Sequence, residues 1–523
     1  MPSSGGAASS SQDVDHLAPT TGASVLRGGA WYALSRYLPQ VYTLAISVVA
    51  ARFLGPDGMG RQSYIAFLSL SITTLLTSSL YVALMRYVGE EIGRGRGGIA
   101  RGLFAWAWKI EATFAAAAAA IFVAVAAAGA TPRAAWVLAG AISGLAIMHT
   151  VPTAVLIGLQ RFRAASTAGL VTGALSVGAV WAVLAAGGGI PGLFAVEAAA
   201  VAVNLVWTTA LARRRLDALA PQPEASPEVQ RLVARYALIL ATGVVFEVIV
   251  SRRSEVFFLE RFSTESQLAF YSISFAAVTA LAQIPMSLAG SLAPAFATLF
   301  GAGEGERMRS GYARAFRLLL LATPPALAVS LVGGPRLLGL VYGSDYAGAG
   351  HVLLILLAGF PLIPVASLSE ALLAGLGRLR PTLVASATAA VVDVGLAAIL
   401  VPLLDAIGAA TANVAGLIAY TTLVATSAMR FARPVTLEAR TLTRGSAAAV
   451  VSGGVGWVVL DYVAGVEGLV AACGAVLGVY AVLARTLRVV PYSEAIWLEH
   501  ALGPRLGAAV GRACRFCAAG PSQ

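Results

Sequence analysis

Five polar side chains, Tyr32, Arg36, Gln40, Thr43 and Ser47, recur at spacings of four, four, three and four along an otherwise apolar stretch. That spacing places them on one face of an α-helix. A second face runs through Tyr236, Gly243, Glu247, Ser251 and Ser254, with Arg252, Arg253 and Glu255 off it. In hydrocarbon a polar group needs a partner on another helix or a water-filled cavity. Arg36 costs about 2.5–3.5 kcal/mol against insertion at a helix centre, so the first stripe is read as a cavity wall rather than as helix–helix hydrogen bonding. Glu247 has no basic residue three or four places away on its own helix and must find a partner elsewhere. For Arg252 and Glu255 an internal ion pair that fixes packing is the alternative to a role in the cavity. Glu197, Glu370 and Asp393 are further acids within apolar runs, and Glu111, close to Lys109, is expected to snorkel toward the membrane surface.

These residues need a scaffold of membrane helices. The chain has 523 residues, is 58% hydrophobic and 12% charged, with mean hydropathy +0.81. A soluble chain carries about twice that share of charge. Its apolar residues come in blocks of about 20, the length that spans a bilayer as a helix, and not in the shorter alternating segments of a β-barrel. The fold class expected is an all-α polytopic membrane protein with fourteen spans: 28–53, 62–86, 105–129, 134–158, 165–187, 190–212, 233–257, 267–300, 316–334, 350–374, 381–402, 406–429, 444–462 and 466–487. Pro285 and Pro294 fall in the eighth span, Pro324 and Pro325 in the ninth, and Pro361 and Pro364 in the tenth, where each is a candidate break.

The net charge of +11 is read as topology and not as affinity for nucleic acid. Arg94, Arg96, Arg101, Arg161, Arg163, Arg213 to Arg215, Arg307, Arg309, Arg314, Arg378, Arg380, Arg430, Arg433 and Arg440 fall in alternate loops, while the other loops hold Arg52, Arg61, Arg133, Arg261 and Arg336. The positive-inside rule then puts both termini in the cytoplasm of a cell-membrane protein. The expected organisation is a disordered cytoplasmic tail (1–23), a six-helix lobe (24–212), a linker (213–228), a second six-helix lobe (229–430), two further helices (431–490) and a second cytoplasmic tail (491–523).

The two lobes resemble each other in sequence. Arg52-Phe53, Gly60 and Ser63 recur as Arg261-Phe262, Ala269 and Ser272 at a constant offset of 209, and Gly158 to Arg163 is echoed by Gly375 to Arg380 at 217. Both copies start from the same membrane face, so they are parallel repeats related by an axis along the membrane normal, with a path between them. No catalytic set is visible: His149 and His351 stand alone, and no phosphate-binding Gly-rich loop occurs. The chain is read as a non-enzyme needing no cofactor and no metal. The lone Cys514-Arg-Phe-Cys517 is read as tail thiols rather than a metal or redox site.

The stretch AARFLGPDGMGRQSYIAF…LYVALMRYVGE, ending at Glu90, resembles the N-terminal signature of Wzx-type polysaccharide-biosynthesis flippases of the multidrug/oligosaccharidyl-lipid/polysaccharide (MOP) exporter superfamily. FFLERFSTESQLAFYSIS, from Phe257, and ALLAGLGRLRPTLVAS, Ala371 to Ser386, resemble two later helix connections of that family. The resemblance implies a V-shaped pair of six-helix lobes that translocates a polyprenyl-linked oligosaccharide, with membrane lipids and glycosyltransferase or polymerase partners around it. It also implies a cationic cavity, for which Arg36, Arg86 and Arg253, with Arg252 beside it, are the counterparts here. A lipid-linked sugar presents a pyrophosphate, and arginine meets phosphate as a planar fork. Tyr32, Gln40, Thr43, Glu247, Glu255, Glu370 and Asp393 are the expected polar or ion-coupling residues. Where relatives read Asp-Arg near the end of the seventh helix, this chain reads Glu255-Val256, so the acid is kept and its arginine is not. The other readings are ion-coupled efflux of organic cations, a non-transporting scaffold of a glycan-assembly complex and, more remotely, a membrane-embedded glycosyltransferase.

Overall fold

The computed structural model describes residues 22–94, 96–159, 161–218, 226–251, 254–432 and 439–489, with backbone alone at 22–37, 93, 245–251, 291, 294 and 439–441. Of the expected tails, 1–23 and 491–523, residues 1–21 and the whole of the second lie outside the described residues. What is described is α-helical, without strands: α1 (Gly22–Gly93), α2 (Gly97–Ala127), α3 (Arg133–Gly158), α4 (Phe162–Ala185), α5 (Gly189–Asp217), α6 (Pro227–Ser251) and α7 (Glu255–Phe262). There follow α8 (Glu265–Gly301), α9 (Gly305–Tyr342), a 3-10 turn (Ser344–Tyr346), α10 (Ala349–Gly359), α11 (Leu362–Gly375), α12 (Leu379–Ala432), α13 (Ala439–Tyr462) and α14 (Gly465–Thr486). Nine of the described helices are long and apolar enough to cross a membrane, or ten with α10 and α11 taken together. The chain is a multi-pass, all-α membrane protein.

Two helices are too long to be single spans. Leu38–Ile92 covers 55 residues and Leu379–Ala432 covers 54. Straight helices of that length would reach about 80 Å, against a hydrocarbon core of about 30 Å. Each reverses at one residue outside helical geometry: Gly55 at φ 68°, ψ 177°, and Asp405 at φ 52°, ψ −131°. The turn at Asp405 is tight. A Cβ on Gly408 would overlap the carbonyl oxygen of Leu400 and lie 2.9 Å from the amide nitrogen of Val401, although eight residues along a straight helix are about 12 Å apart. Further down, Gly416 sits against Asp393, so the two arms run antiparallel in contact. With α1 and α12 each counted as two arms, and α6–α7 and α10–α11 each joined, the helices follow the order of the fourteen predicted spans. Gly408→Ala is expected to lower the melting temperature of the detergent-solubilised protein by several degrees, since overpacking against backbone costs about 1–3 kcal/mol. Gly395→Ala, with open space around its Cα, is the matched control.

Of the prolines expected to break helices, Pro361 alone separates two. Phe360 N donates to Leu357 O at 3.0 Å in a tightened turn, and α10 meets α11 at 42°. A proline ring has no N–H and crowds the carbonyl four residues earlier. α8 and α9 continue past Pro285, Pro324 and Pro325, as helices can where their neighbours compensate the freed carbonyls. The seventh predicted span comprises α6 and α7, on either side of residues 252–253, and runs on to Phe262.

Apolar packing differs between the two ends of the bundle. At the arginine-poor end one cluster joins both halves of the chain, with Ala50, Met59, Phe67 and Leu193 packed together with Val256, Leu268, Tyr271 and Tyr346. At the arginine-rich end it divides. Leu84, Leu103, Val155 and Leu216 form one cluster with the start of α6, and Phe296, Tyr312, Leu372 and Ala428 form another. α13 and α14 pack on each other and on α9 through Val332, Leu460 and Val476.

Candidate functional site

A cavity of about 270 Å³ lies below the Gly55 reversal, between the two arms of α1, α5 and α8. Its polar lining comprises Gln40, Thr43 and Ser47 from one arm, Gln62 and Ser63 from the other, Glu197 from α5 and Ser272 from α8. Leu44, Ile46, Ala50, Met59, Phe67 and Leu70 supply apolar wall. The sequence stripe therefore does face a cavity over Gln40, Thr43 and Ser47. Thr43 returns its hydroxyl to Pro39 O at 3.0 Å, and Ser47 shares a 3.3 Å hydrogen bond with the Tyr342 hydroxyl. Gln40, Gln62 and Glu197 have no hydrogen-bond or charge partner among the described residues.

Above the cavity the arginine-poor end is shut by contacts between the two halves. Arg61 bridges Glu260 at 2.7 Å and Glu265 from its other nitrogen. Ser266 donates to Asp57. Arg52 donates to the carbonyls of Leu340 at 2.6 Å and Val341 at 2.7 Å, at the end of α9, and the Tyr346 hydroxyl donates to Ala51 O at 3.0 Å. Burial pushes that hydroxyl above the usual tyrosine range, which keeps it a donor. Phe67 stacks edge-on to Phe257 at 5.1 Å. Gly60 lets the backbones meet: a Cβ there would overlap the Glu265 carbonyl oxygen and lie 2.6 Å from its carbon. Ion pairs as exposed as Arg61 with Glu260 and Glu265 contribute about 0–1 kcal/mol each.

A second polar group lies inside the second half. Glu255 and Asp393 are fully buried. Ser254 donates to Asp393 Oδ2 at 2.6 Å, and Asn413 lies beside Glu255. Both Glu255 oxygens and Asp393 Oδ1 lack hydrogen-bond partners among the described residues. Ser254 and Glu255, at the start of α7, face α12. Two adjacent carboxyl groups taken out of water need a shared proton or a small cation between them, because desolvation of two unpaired charges costs several kcal/mol each.

The remaining sequence candidates fall as follows. Tyr32 and Arg36 are in α1 and Glu247 in α6, with side chains outside the described residues, and Arg252 and Arg253 lie outside them altogether. Arg86 does not line the cavity: its guanidinium sits 4.7 Å from the Tyr236 ring and 5.4 Å from Tyr87, joining α1 to α6 at the arginine-rich end. Glu370 is exposed, not buried, because the inward face of α11 is taken by Leu368, Ser369, Leu372 and Leu373. Glu111 does not snorkel. It is wholly buried with both oxygens unpartnered, since residues two apart on a helix do not share a face and Lys109 is exposed on the other side. Glu197 and the pairing of Glu255 with Asp393 were not singled out by spacing. Neither leaves a periodic signal, as each depends on helices far apart in sequence.

This bundle shares its fold with solved membrane transporters and flippases. Residues 250–399 match the MatE family model. No curated protein matches the sequence. Among solved structures the chain is similar to the lipid II flippase MurJ in an inward closed conformation, with a TM-score of 0.70 at 10% identity over 87% of this chain and 98% of that one. It is also similar to an inward-facing multidrug resistance MATE family transporter of the MOP superfamily, with a TM-score of 0.65 at 16% identity, 75% of this chain and 94% of that one. A MOP superfamily transporter from Pyrococcus furiosus, described as having a binding pocket of reverse polarity, gives 0.54 at 14% identity, covering 77% and 93%. At such identities the shared property is the fold.

Proposed function

We propose that this protein flips a polyprenyl-diphosphate-linked oligosaccharide from the inner to the outer leaflet of the cell membrane by alternating access of two six-helix lobes, 24–212 and 229–430. The observation that carries the reading is the groove on the side of the bundle. Between α9 and α13, Leu320, Leu327, Leu331, Val450 and Trp457 help line an apolar groove of about 470 Å³, open to accept an isoprenoid tail while the head group moves through the protein. A soluble organic cation has no use for it. The parallel lobes are supported by Asp57 and Ser266, which are 209 residues apart, the offset of the sequence repeat, and hydrogen bond to each other. Equivalent positions touch only beside the axis that relates them. With the arginine-rich end in the cytoplasm, the closed end is the outer one, and the molecule is poised to load from the inner leaflet.

A second reading, efflux of organic cations, is favoured by the single carboxylate of Glu197 in a cavity whose described lining holds no arginine. Purified protein in proteoliposomes distinguishes the two. Under the first reading it flips a fluorescent polyprenyl diphosphate oligosaccharide and does not accumulate tetraphenylphosphonium; the reverse result establishes the second. Arg36→Ala is expected to slow flipping about tenfold or more, the worth of a hydrogen bond to a charged group, whereas Arg36→Lys keeps part of the rate because charge survives without the fork. Wild-type rates in both variants would remove Arg36 from the path.

A further inference from the structure

The structure assigns the cavity around Glu197 to the sugar part of the cargo: we propose that Glu197, Gln40 and Gln62 bind the hydroxyl and amide groups of neutral sugar residues, while the diphosphate stays outside this chamber. The inference rests on the flippase reading and deepens it. Three side chains with amide or carboxylate ends face one space without partners among the described residues. The Ser272 hydroxyl, 5% exposed, lines the same space and also lacks a partner. Ser272 is buried, Gln62 and Glu197 are half-buried and Gln40 is exposed. A buried hydroxyl is normally satisfied, and one left open beside three partnerless amide and carboxylate ends points to a ligand that completes the set. Carboxylate and amide oxygens accept from hydroxyls, amide N–H groups donate to them, and Phe67 and Met59 offer apolar surface to a ring face. A diphosphate fits badly here. It would sit beside an uncompensated carboxylate with no cation in the described lining, and like charges repel strongly away from water.

The chamber's polar groups come from both arms of α1, from α5 and, through Ser272, from α8. The first three belong to one lobe and α8 to the other, so opening the outer end would carry Ser272 away from Glu197. The sugar subsite is therefore assembled in the state seen here and taken apart by the movement that releases cargo.

The test is binding by the full-length protein in detergent, measured by thermophoresis, to three probes: geranylgeranyl diphosphate without sugar, a polyprenyl diphosphate carrying di-N-acetylchitobiose, and tetraphenylphosphonium. Wild type is expected to bind the sugar-bearing probe more tightly than the sugarless one. Glu197→Ala and Gln62→Leu should each weaken the sugar-bearing probe roughly tenfold, as loss of hydrogen bonds to a ligand does, and leave the sugarless diphosphate unchanged. Glu197→Gln, which keeps hydrogen-bonding capacity without charge, should remain within about threefold of wild type. Equal wild-type affinity for both diphosphates, or equal weakening of both by Glu197→Ala, overturns the sugar subsite and leaves the flippase reading standing. Wild-type binding of tetraphenylphosphonium alone, lost in Glu197→Gln, overturns both.

Discussion

Gly60→Ala is expected to lower transport by roughly two orders of magnitude while leaving the protein folded in the membrane. Gly60 is the position where the second arm of α1 meets the start of α8, and an added Cβ would fall on the Glu265 carbonyl. That obstacle is backbone, so no side chain can swing aside. It exists only while the arginine-poor end is closed, when Arg61 holds Glu260 and Glu265 and Ser266 meets Asp57. An overpacking cost of about 3 kcal/mol borne by one state alone shifts a two-state equilibrium about 150-fold. The variant should therefore rest with its arginine-poor end open and, in the proposed orientation, fail to load from the inside. A cysteine at Ser63, a buried cavity residue near the closed end, reports the shift without any assumption about cargo. In right-side-out vesicles it should react with an impermeant thiol reagent much faster in the Gly60→Ala background. Gly169→Ala, in α4 with nothing near its Cα, should change neither readout. Normal transport by Gly60→Ala would show that the contact at Gly60 is not part of the cycle.

The sequence predicts the number and order of helices because a membrane imposes its own length on apolar runs, and the two reversals near Gly55 and Asp405 lie in gaps between predicted spans. Local chemistry also marked Pro361 as a break. Gln40, Thr43 and Ser47 of the polar stripe on the first helix line one cavity, since one helix carries its own periodicity. The rest of the cavity was illegible for the same reason. Glu197 is a single acid on an apolar helix, and nothing in its neighbourhood distinguishes a cavity wall from a packed core. Glu111 shows the converse. Its nearness to Lys109 suggested an exposed pair, but two residues of helix turned one inward and the other out. Pro324 and Pro325 misled in another way, because a proline supplies the chance of a break while the neighbouring helices decide whether it occurs.

Asp393→Asn is expected to abolish the response of transport to an ion gradient without lowering stability. Asp393 faces Glu255 in the buried interior beside Asn413, with no cation among the described residues, and three of their four carboxyl oxygens make no well-aligned hydrogen bond there. Neutralising one member of such a pair removes desolvated charge while preserving shape, and replacements of that kind are often neutral or stabilising. The melting temperature in detergent should thus be unchanged or higher. What disappears is the ability to bind a proton or small cation when the pocket is accessible from one side and release it when accessible from the other. Differential binding of that kind is the only route by which a gradient biases a two-state cycle. In proteoliposomes with an imposed proton or sodium gradient, wild-type transport should accelerate under one of the two. Asp393→Asn and Glu255→Gln should each run at one slow rate under both, and the double variant should be no slower than either single. Retention of the wild-type gradient response in Asp393→Asn would leave the buried pair a packing feature and move the coupling site elsewhere, with Glu197 the next acid to test.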